Sequence, residues 1–305
     1  MTQTENPYDL LVIGGGLAGL TAARLAAERG LSVAALDEGG HMGGLVMNVG
    51  RIDGFPAADG ASGVELAAAA LEALVEHGVE IIPESATGIA LHGDSKTVIT
   101  ESGRHVARTL VLASGARLRA LGVPGEAALF GRGVSQCADC DAGFFTDQHV
   151  VVVGGGDSAL QEALHLAEYA ARITVVTRGD ALRAKEDYVA QATANPKFAF
   201  RLSTRVQEIL GRDAVEGVRI CPSSGGATED IACDGVFVFV GLEPNAAYLP
   251  DAIARNAAGY VVTDAAYRTS IPGVYAVGAV RAGYSGQLAD AVAEAAAAVA
   301  NITGD

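Results

Sequence analysis

Cys137-Ala138-Asp139-Cys140 sets two thiols three residues apart. At that spacing a pair can close a disulfide within one turn, and the first thiol is commonly activated. A zinc half-site is the rival use of the same spacing. It has nothing to complete it, because Cys221, Cys233 and the six histidines are scattered. The pair is therefore read as redox-active, Cys221 and Cys233 as structural thiols, and no metal is expected. Asp141 follows at once. Its carboxyl can act as a general acid for chemistry at Cys140, or it can cap a turn.

Two glycine clusters carry a second kind of chemistry. Tyr8–Ile13 is an apolar run that ends in Gly14-x-Gly16-x-x-Gly19, and a second apolar run, 31–37, closes on Asp37. Strand, glycine turn and helix in that order make a phosphate cradle. The first glycine turns the chain, the second lets backbone approach a pyrophosphate, and the third packs helix on strand. Asp37 stands where a carboxylate accepts from ribose hydroxyls. The pattern repeats: His149–Val153 leads into Gly154-x-Gly156-x-x-Ala159, and Arg172–Thr177 follows. Counted from the first glycine, Thr177 takes the place of Asp37, with Arg178 next and Arg183 close behind. An acid there repels a 2′-phosphate and arginine binds it, so this unit favours NADP over NAD. The alternative is that both arginines are ordinary solvated charges.

The elements around these residues have to hold two such units. A length of 305 residues suits two domains. Half the residues are apolar and 19% are charged, enough core for both. Glycine makes up 39 of the 305 residues, well above the usual ~7%, and falls partly in the turns after apolar runs. Ser62 and Glu65 form a capping-box pattern for a helix over 62–77 that Gly78 stops. Residues 79–82 and 109–114 read as strands, 96–108 as a polar hairpin region, 116–126 as a crossover and 235–240 as a buried strand. Pro244-Asn245 marks the return to the first domain. The Ala-rich segment 288–302 reads as a closing helix, buried or at an interface. With 36 acidic against 21 basic residues the net charge is −15. That argues against nucleic acid and against an anionic membrane surface as partners. Residues 1–9 lack a basic n-region, and no stretch nears 18 uncharged apolar residues. A cytoplasmic protein without signal peptide or membrane span is expected.

Further motifs lie between these. They are Ala113-Ser114-Gly115-Ala116 leading to Val123-Pro124-Gly125, Val240-Gly241 with Pro244-Asn245, and Ser270-Ile271-Pro272-Gly273-Val274-Tyr275-Ala276-Val277-Gly278. With the two glycine turns and Cys137-x-x-Cys140-Asp141, in this order, the chain resembles the low-molecular-weight thioredoxin reductases over nearly its whole length. These are FAD/NAD(P)-dependent pyridine nucleotide-disulfide oxidoreductases. The resemblance implies an α/β fold of two Rossmann-like dinucleotide-binding domains, the second inserted into the first. Residues 1–116 and 245–305 would hold FAD, and 117–244 would hold NADPH and carry the cysteines. FAD contacts would come from Gly14, Gly16, Ala18, Gly19, Asp37, Glu38, Gly44, Leu45, Asn48, Ala113, Gly115, Gly278, Gln287 and Leu288. NADPH contacts would come from Gly154, Gly156, Asp157, Ser158, Ala159, Arg178 and Arg183. Hydride would pass from NADPH to flavin and electrons on to the disulfide. Cys140 would face the flavin, Cys137 would attack the substrate, and Asp141 would supply protons. One domain would swivel on linkers near 116–122 and 242–246. The partner would be a thioredoxin-like protein or a small-molecule disulfide, and the assembly a homodimer.

The chain departs from the family at the flavin end. Ala279 stands where the family has Asp, Leu45 and Gly54 where it has Gln and Asn, and Gly286-Gln287-Leu288 replaces Arg-Gln-Ala. Fewer polar contacts to FAD follow. The family's His-Arg-Arg reads Thr177-Arg178-Gly179. Two rival functions share these residues. One is a flavin dithiol oxidase that passes electrons to oxygen and needs no NADPH; the other is a non-catalytic flavoprotein or redox sensor, which steady disulfide turnover excludes. An arginine–phosphate contact is worth about 1.5–3 kcal/mol, or roughly 10–150-fold in affinity. With Gly179 in place of a second arginine, the lower part of that range is expected. Arg178→Ala should therefore narrow the preference for NADPH over NADH, measured as the ratio of KM values. Equal wild-type rates with the two coenzymes would overturn this reading.

Overall fold

The apolar runs become the central strands because they alternate between two covered faces. The computed structural model describes residues 7–38, 42–52, 54–93 and 95–304. The chain divides into two compact units, Met1–Arg117 with Glu243–Asp305, and Leu118–Leu242. Each boundary lies one or two residues from the expected 116/117 and 244/245.

In the first unit, β1 (Tyr8–Ile13), α1 (Leu17–Glu28), β2 (Val33–Leu36), α2 (Gly63–Glu76) and β3 (Glu80–Ile82) form successive strand–helix crossovers. β4 (Gly88–His92), β5 (Ser95–Ile99) and β6 (Arg104–Leu112) follow as an antiparallel ribbon. β6 does two jobs. Its first half pairs antiparallel with β5 through Arg104–Ala107, and Leu110–Leu112 pairs parallel with Val274–Ala276 from the far end of the chain. That last pairing stitches the C-terminal segment into the first sheet. Leu10, Val12, Val33, Ala35 and Val111 point to one face, under α1, α2 and the closing helix. Leu11, Ile13, Ala34, Leu36, Leu110 and Leu112 point to the other. This is the two-residue period of a strand buried on both faces. The capping box forms: Ser62 Oγ accepts the Glu65 N–H, and the Glu65 carboxylate accepts the Ser62 N–H.

Residues 116–126, expected as a crossover, begin with a short strand, β7 (Ala116–Leu118). The second unit continues with α3 (Glu126–Leu129), β8 (Val134–Ser135), α4 (Ala138–Asp141), β9 (His149–Val153), α5 (Asp157–Tyr169), β10 (Arg172–Val176), α6 (Glu186–Ala194) and β11 (Phe198–Arg201). β12 (Thr204–Gly211), β13 (Val215–Pro222) and β14 (Glu229–Ala232) make an antiparallel sheet, and β15 (Gly235–Val238) returns to the main one. The main sheet is parallel, in the order β11-β10-β9-β15-β8. Val150, Val152, Ile173, Val175 and Phe237 face α5 and α6, while Val151, Val153, Val176, Val236 and Val238 face the three-stranded sheet. β16 (Leu242–Pro244) pairs with β7, β17 (Val274–Ala276) closes the first sheet, and α7 (Leu288–Thr303) lies on α1.

Candidate functional site

The internal repeat in the sequence becomes one stereochemical device built twice. In the first unit Gly14 has φ +112°, and a Cβ there would lie 2.2 Å from the carbonyl oxygen of Ala113. In the second, Gly154 has φ +147°, and its Cβ would lie 2.3 Å from that of Phe239. Only glycine fits either position. The Gly14 N–H donates to Leu36 O and the Gly154 N–H to Val176 O. A Cβ on Gly15 would meet the Asp37 carboxylate at 2.8 Å, and one on Gly155 would meet Thr177 Oγ1 at 2.8 Å. Asp37 and Thr177 thus occupy equivalent positions, as the residue count gives.

The same equivalence extends into loops that the sequence reading left unmatched. Gly15 O accepts the Gly43 N–H and Gly155 O the Arg183 N–H, each at 2.7 Å. A loop after the second strand therefore folds back over the glycine turn in both units. The repeat is invisible there because backbone, not side chains, makes the bond.

Both turns leave room for a ligand. Gly16 and Gly156 are the N-caps of α1 and α5, and neither helix has a side-chain cap. A Cβ on Gly156 would meet nothing within 4 Å, and one on Gly16 only Gly43 O at 4.0 Å. The first-turn N–H groups of each helix point into that space with the positive end of the helix dipole. These donors suit a pyrophosphate, so the residues present fit a dinucleotide in each unit.

In the first unit the remaining predicted residues lie on several elements. Ala113 packs against Gly14, and Gly115 follows at φ +68°. Asp37 accepts the Gly15 N–H, and Glu38 is exposed beside it. Gly44, Leu45 and Asn48 lie on a short 3-10 turn whose Gly44 approaches Gly16. Leu45 is 39% exposed, and Leu288 packs against the cluster of Val46, Ile52 and Ala67. Gln287 is the N-cap of α7. Gly54, where an Asn was expected, has φ +75° and donates its N–H to Asp59. Gly278 sits over Ala18, whose Cβ would lie 3.0 Å from one added to the glycine. Its N–H donates to Glu294 Oε2 at 2.8 Å, and Arg281 pairs with the same buried carboxylate. The sequence reading missed Glu294. The available signal was one acid on the inward face of an Ala-rich helix.

In the second unit Ala159 is buried against the turn and Ser158 is exposed. The Asp157 carboxylate accepts the Lys185 N–H at 2.7 Å. Arg178, Arg183 and Lys185 are all exposed. Lys185 is an addition that the sequence reading overlooked.

The cysteines are joined as a disulfide, Cα–Cα 5.4 Å apart. Ser135 Oγ accepts the Cys137 N–H at 3.1 Å. The Cys140 N–H donates to Cys137 Sγ at 3.1 Å. The Ala138 N–H donates to Glu162 Oε2 at 2.8 Å. Burial holds the Glu162 carboxyl above the usual range. Cys140 is exposed and Cys137 half-buried. Asp141 starts the next 3-10 turn without capping it. Cys221 and Cys233 are free and buried, and burial pushes the Cys233 thiol up to about 12. Among the described residues no group of acidic, histidine and cysteine side chains could hold a metal.

The family model of pyridine nucleotide-disulphide oxidoreductases matches residues 8–299. The chain belongs to that family. It is 37% identical over 295 residues to the thioredoxin reductase of Treponema pallidum (strain Nichols), covering 96% of this chain and 95% of the relative. Among solved structures, Lactococcus lactis thioredoxin reductase superposes with a TM-score of 0.92 at 36% identity, covering 97% of this chain and 98% of that one. The T. acidophilum thioredoxin reductase superposes with a TM-score of 0.90 at 30% identity, covering 99% of both chains. This family member is an NADPH-dependent FAD disulfide oxidoreductase with two Rossmann-like domains.

The two glycines of each turn predict opposite outcomes. Gly154→Ala meets both a forbidden φ and the Phe239 carbonyl, and strain of this kind costs about 1–3 kcal/mol before the clash is added. Its melting temperature should fall. Gly156→Ala should leave stability within about 0.5 kcal/mol yet fill the space above α5, so NADPH affinity by fluorescence titration should fall while the protein melts normally. Unchanged affinity in Gly156→Ala would show that the coenzyme does not approach this turn.

Proposed function

We propose that the chain passes electrons from NADPH to the disulfide of a thioredoxin-like protein through Cys137 and Cys140. The hydrogen bond from the Cys140 N–H to Cys137 Sγ carries this reading. A donor aimed at that sulfur favours its thiolate, and the thiolate is the attacking species. A flavin bound at the first glycine turn supplies the two-electron relay between nicotinamide and disulfide. Arg178 and Arg183, with Lys185 beside them, present positive charge to the 2′-phosphate of NADPH, and the N-terminus of α5 presents N–H groups to its pyrophosphate.

Once reduced, the Cys137 thiolate attacks one sulfur of the substrate disulfide and the other leaves as a thiolate. Cys140 then attacks Cys137 Sγ, restores the Cys137–Cys140 bond and releases the second substrate sulfur. Two thiols are oxidised and two are formed, so electrons balance. The two protons of the enzyme dithiol pass to the products. Asp141, half-buried and with its side chain uncommitted to the turn it begins, is suited to hand them over.

A protein substrate is favoured over a small one by Phe144, 77% exposed and shortly after Cys140. It offers an apolar contact that a protein partner can cover. A homodimer is favoured by the outward stripe of Val64, Ala68 and Val75 on α2; a monomer by light scattering would exclude it. The cytoplasm suits a protein that keeps two free thiols, and no described helix is long and apolar enough to cross a membrane.

Cys137→Ser and Cys140→Ser should each abolish reduction of thioredoxin disulfide, followed as NADPH consumption. Bleaching of the flavin absorbance by anaerobic NADPH should survive, because that transfer needs no thiol. If either variant keeps most of the wild-type turnover, the thiol route is wrong. If the wild type turns over small disulfides faster than thioredoxin, the partner is a small molecule.

A further inference from the structure

Glu162 takes no part in the exchange above, yet it is bonded to the redox turn. Its carboxylate accepts the N–H of Ala138, the peptide that directly follows Cys137, at 2.8 Å. Ala138 is fully buried and opens α4. One turn along the same helix, His165 Nε2 lies 3.3 Å from the Asp139 carboxylate. Both residues between the cysteines are therefore held by α5. Nothing in the packing calls for an acid at position 162. The neighbouring inward residues Ala159, Leu160, Ala163 and Leu166 join an apolar cluster, and burying a carboxyl is costly unless it is bonded.

We propose that Glu162 is a positioning residue for the redox pair: it pins the first turn of α4 through the Ala138 N–H and, by its charge, sets the pH at which Cys137 becomes a thiolate. The proposal rests on reading Cys137 as the attacking thiol. The N–H groups at the start of a turn stabilise a neighbouring thiolate, and Glu162 takes one of them. A carboxylate bonded to the next peptide N–H also opposes the forming thiolate through its charge. The balance is simple: the Cys137 thiol loses one proton to solvent, and Glu162 alters only how readily.

The charges facing Glu162 are few. Asp139 on α4 raises its pKa further and His165 on its own helix lowers it. α6, β9, β10 and the turn at 142–145 meet α5 through apolar side chains and Tyr188. While Glu162 is ionised, its charge at the redox turn makes Cys137 harder to ionise, and removing that charge makes it easier.

The test is the rate of Cys137 alkylation by iodoacetamide against pH, on the full chain reduced with dithiothreitol and read by peptide mass. Glu162→Gln keeps an acceptor for the Ala138 N–H and loses the charge, so its curve should move about one unit lower. Glu162→Asp keeps the charge and should stay with the wild type. A Glu162→Gln curve that superimposes on the wild type or moves higher overturns the proposal. If Glu162→Gln does not fold, Glu162→Leu decides, because leucine suits the apolar neighbours on α5 and also loses the charge; its curve should move lower, and one that superimposes on the wild type overturns the proposal. The titration uses neither NADPH nor a disulfide substrate, so failure of the proposed activity and failure of this proposal are read separately.

Discussion

Backbone against backbone is the contact on which each unit depends. Gly14 lies against the Ala113 carbonyl and Gly154 against that of Phe239. The missing side chain lets the strand turn at once into a helix while the neighbouring strand stays in register. The consequence is electrostatic: the helix starts with unpaired N–H groups facing open space. The folded-back loops, Gly43 on Gly15 and Arg183 on Gly155, then use the turn's own carbonyl as their anchor. A side chain at either first glycine would disturb strand, helix and loop together.

In the second unit, α5 joins two chemistries that are far apart in the sequence. Its N-terminus faces the open space at the second glycine turn, and five residues on Glu162 bonds the redox turn. At ~1.5 Å per residue that is roughly 7–8 Å of rigid rod. The helix thus positions both groups relative to one another without relying on any loop. Ser135 and Glu162 between them take the backbone N–H groups on either side of Cys137, so the turn is fixed before any chemistry takes place.

Charge is arranged against the average. The chain carries −15 overall, yet Arg178, Arg183 and Lys185 are exposed along the loop that covers the second glycine turn. The first turn instead meets Asp37. Two copies of one backbone device therefore carry opposite charge beside the turn, a difference suited to two different nucleotides. The carboxylate missing at Ala279 is not replaced in kind. The buried acid nearby, Glu294, is committed to Gly278 and Arg281.

The sequence by itself determined what depends on local chemistry. Continuous apolar runs specified β1 and β9, the Ser62–Glu65 pair specified the start of α2, and glycine spacing specified both turns, because short apolar runs, helix caps and positive φ are properties of a few adjacent residues. Spacing also paired Cys137 with Cys140. What only the tertiary structure decided were contacts between distant segments. Leu110–Leu112 with Val274–Ala276, Gly43 on Gly15, Arg183 on Gly155, and Glu162 on Ala138 leave no local mark, since a backbone N–H or carbonyl looks the same at every residue. Glu162 and Glu294 read as ordinary acids on amphipathic or Ala-rich helices until burial singled them out. A side chain's environment is set by what the rest of the chain brings against it, and no window of neighbouring residues contains that information.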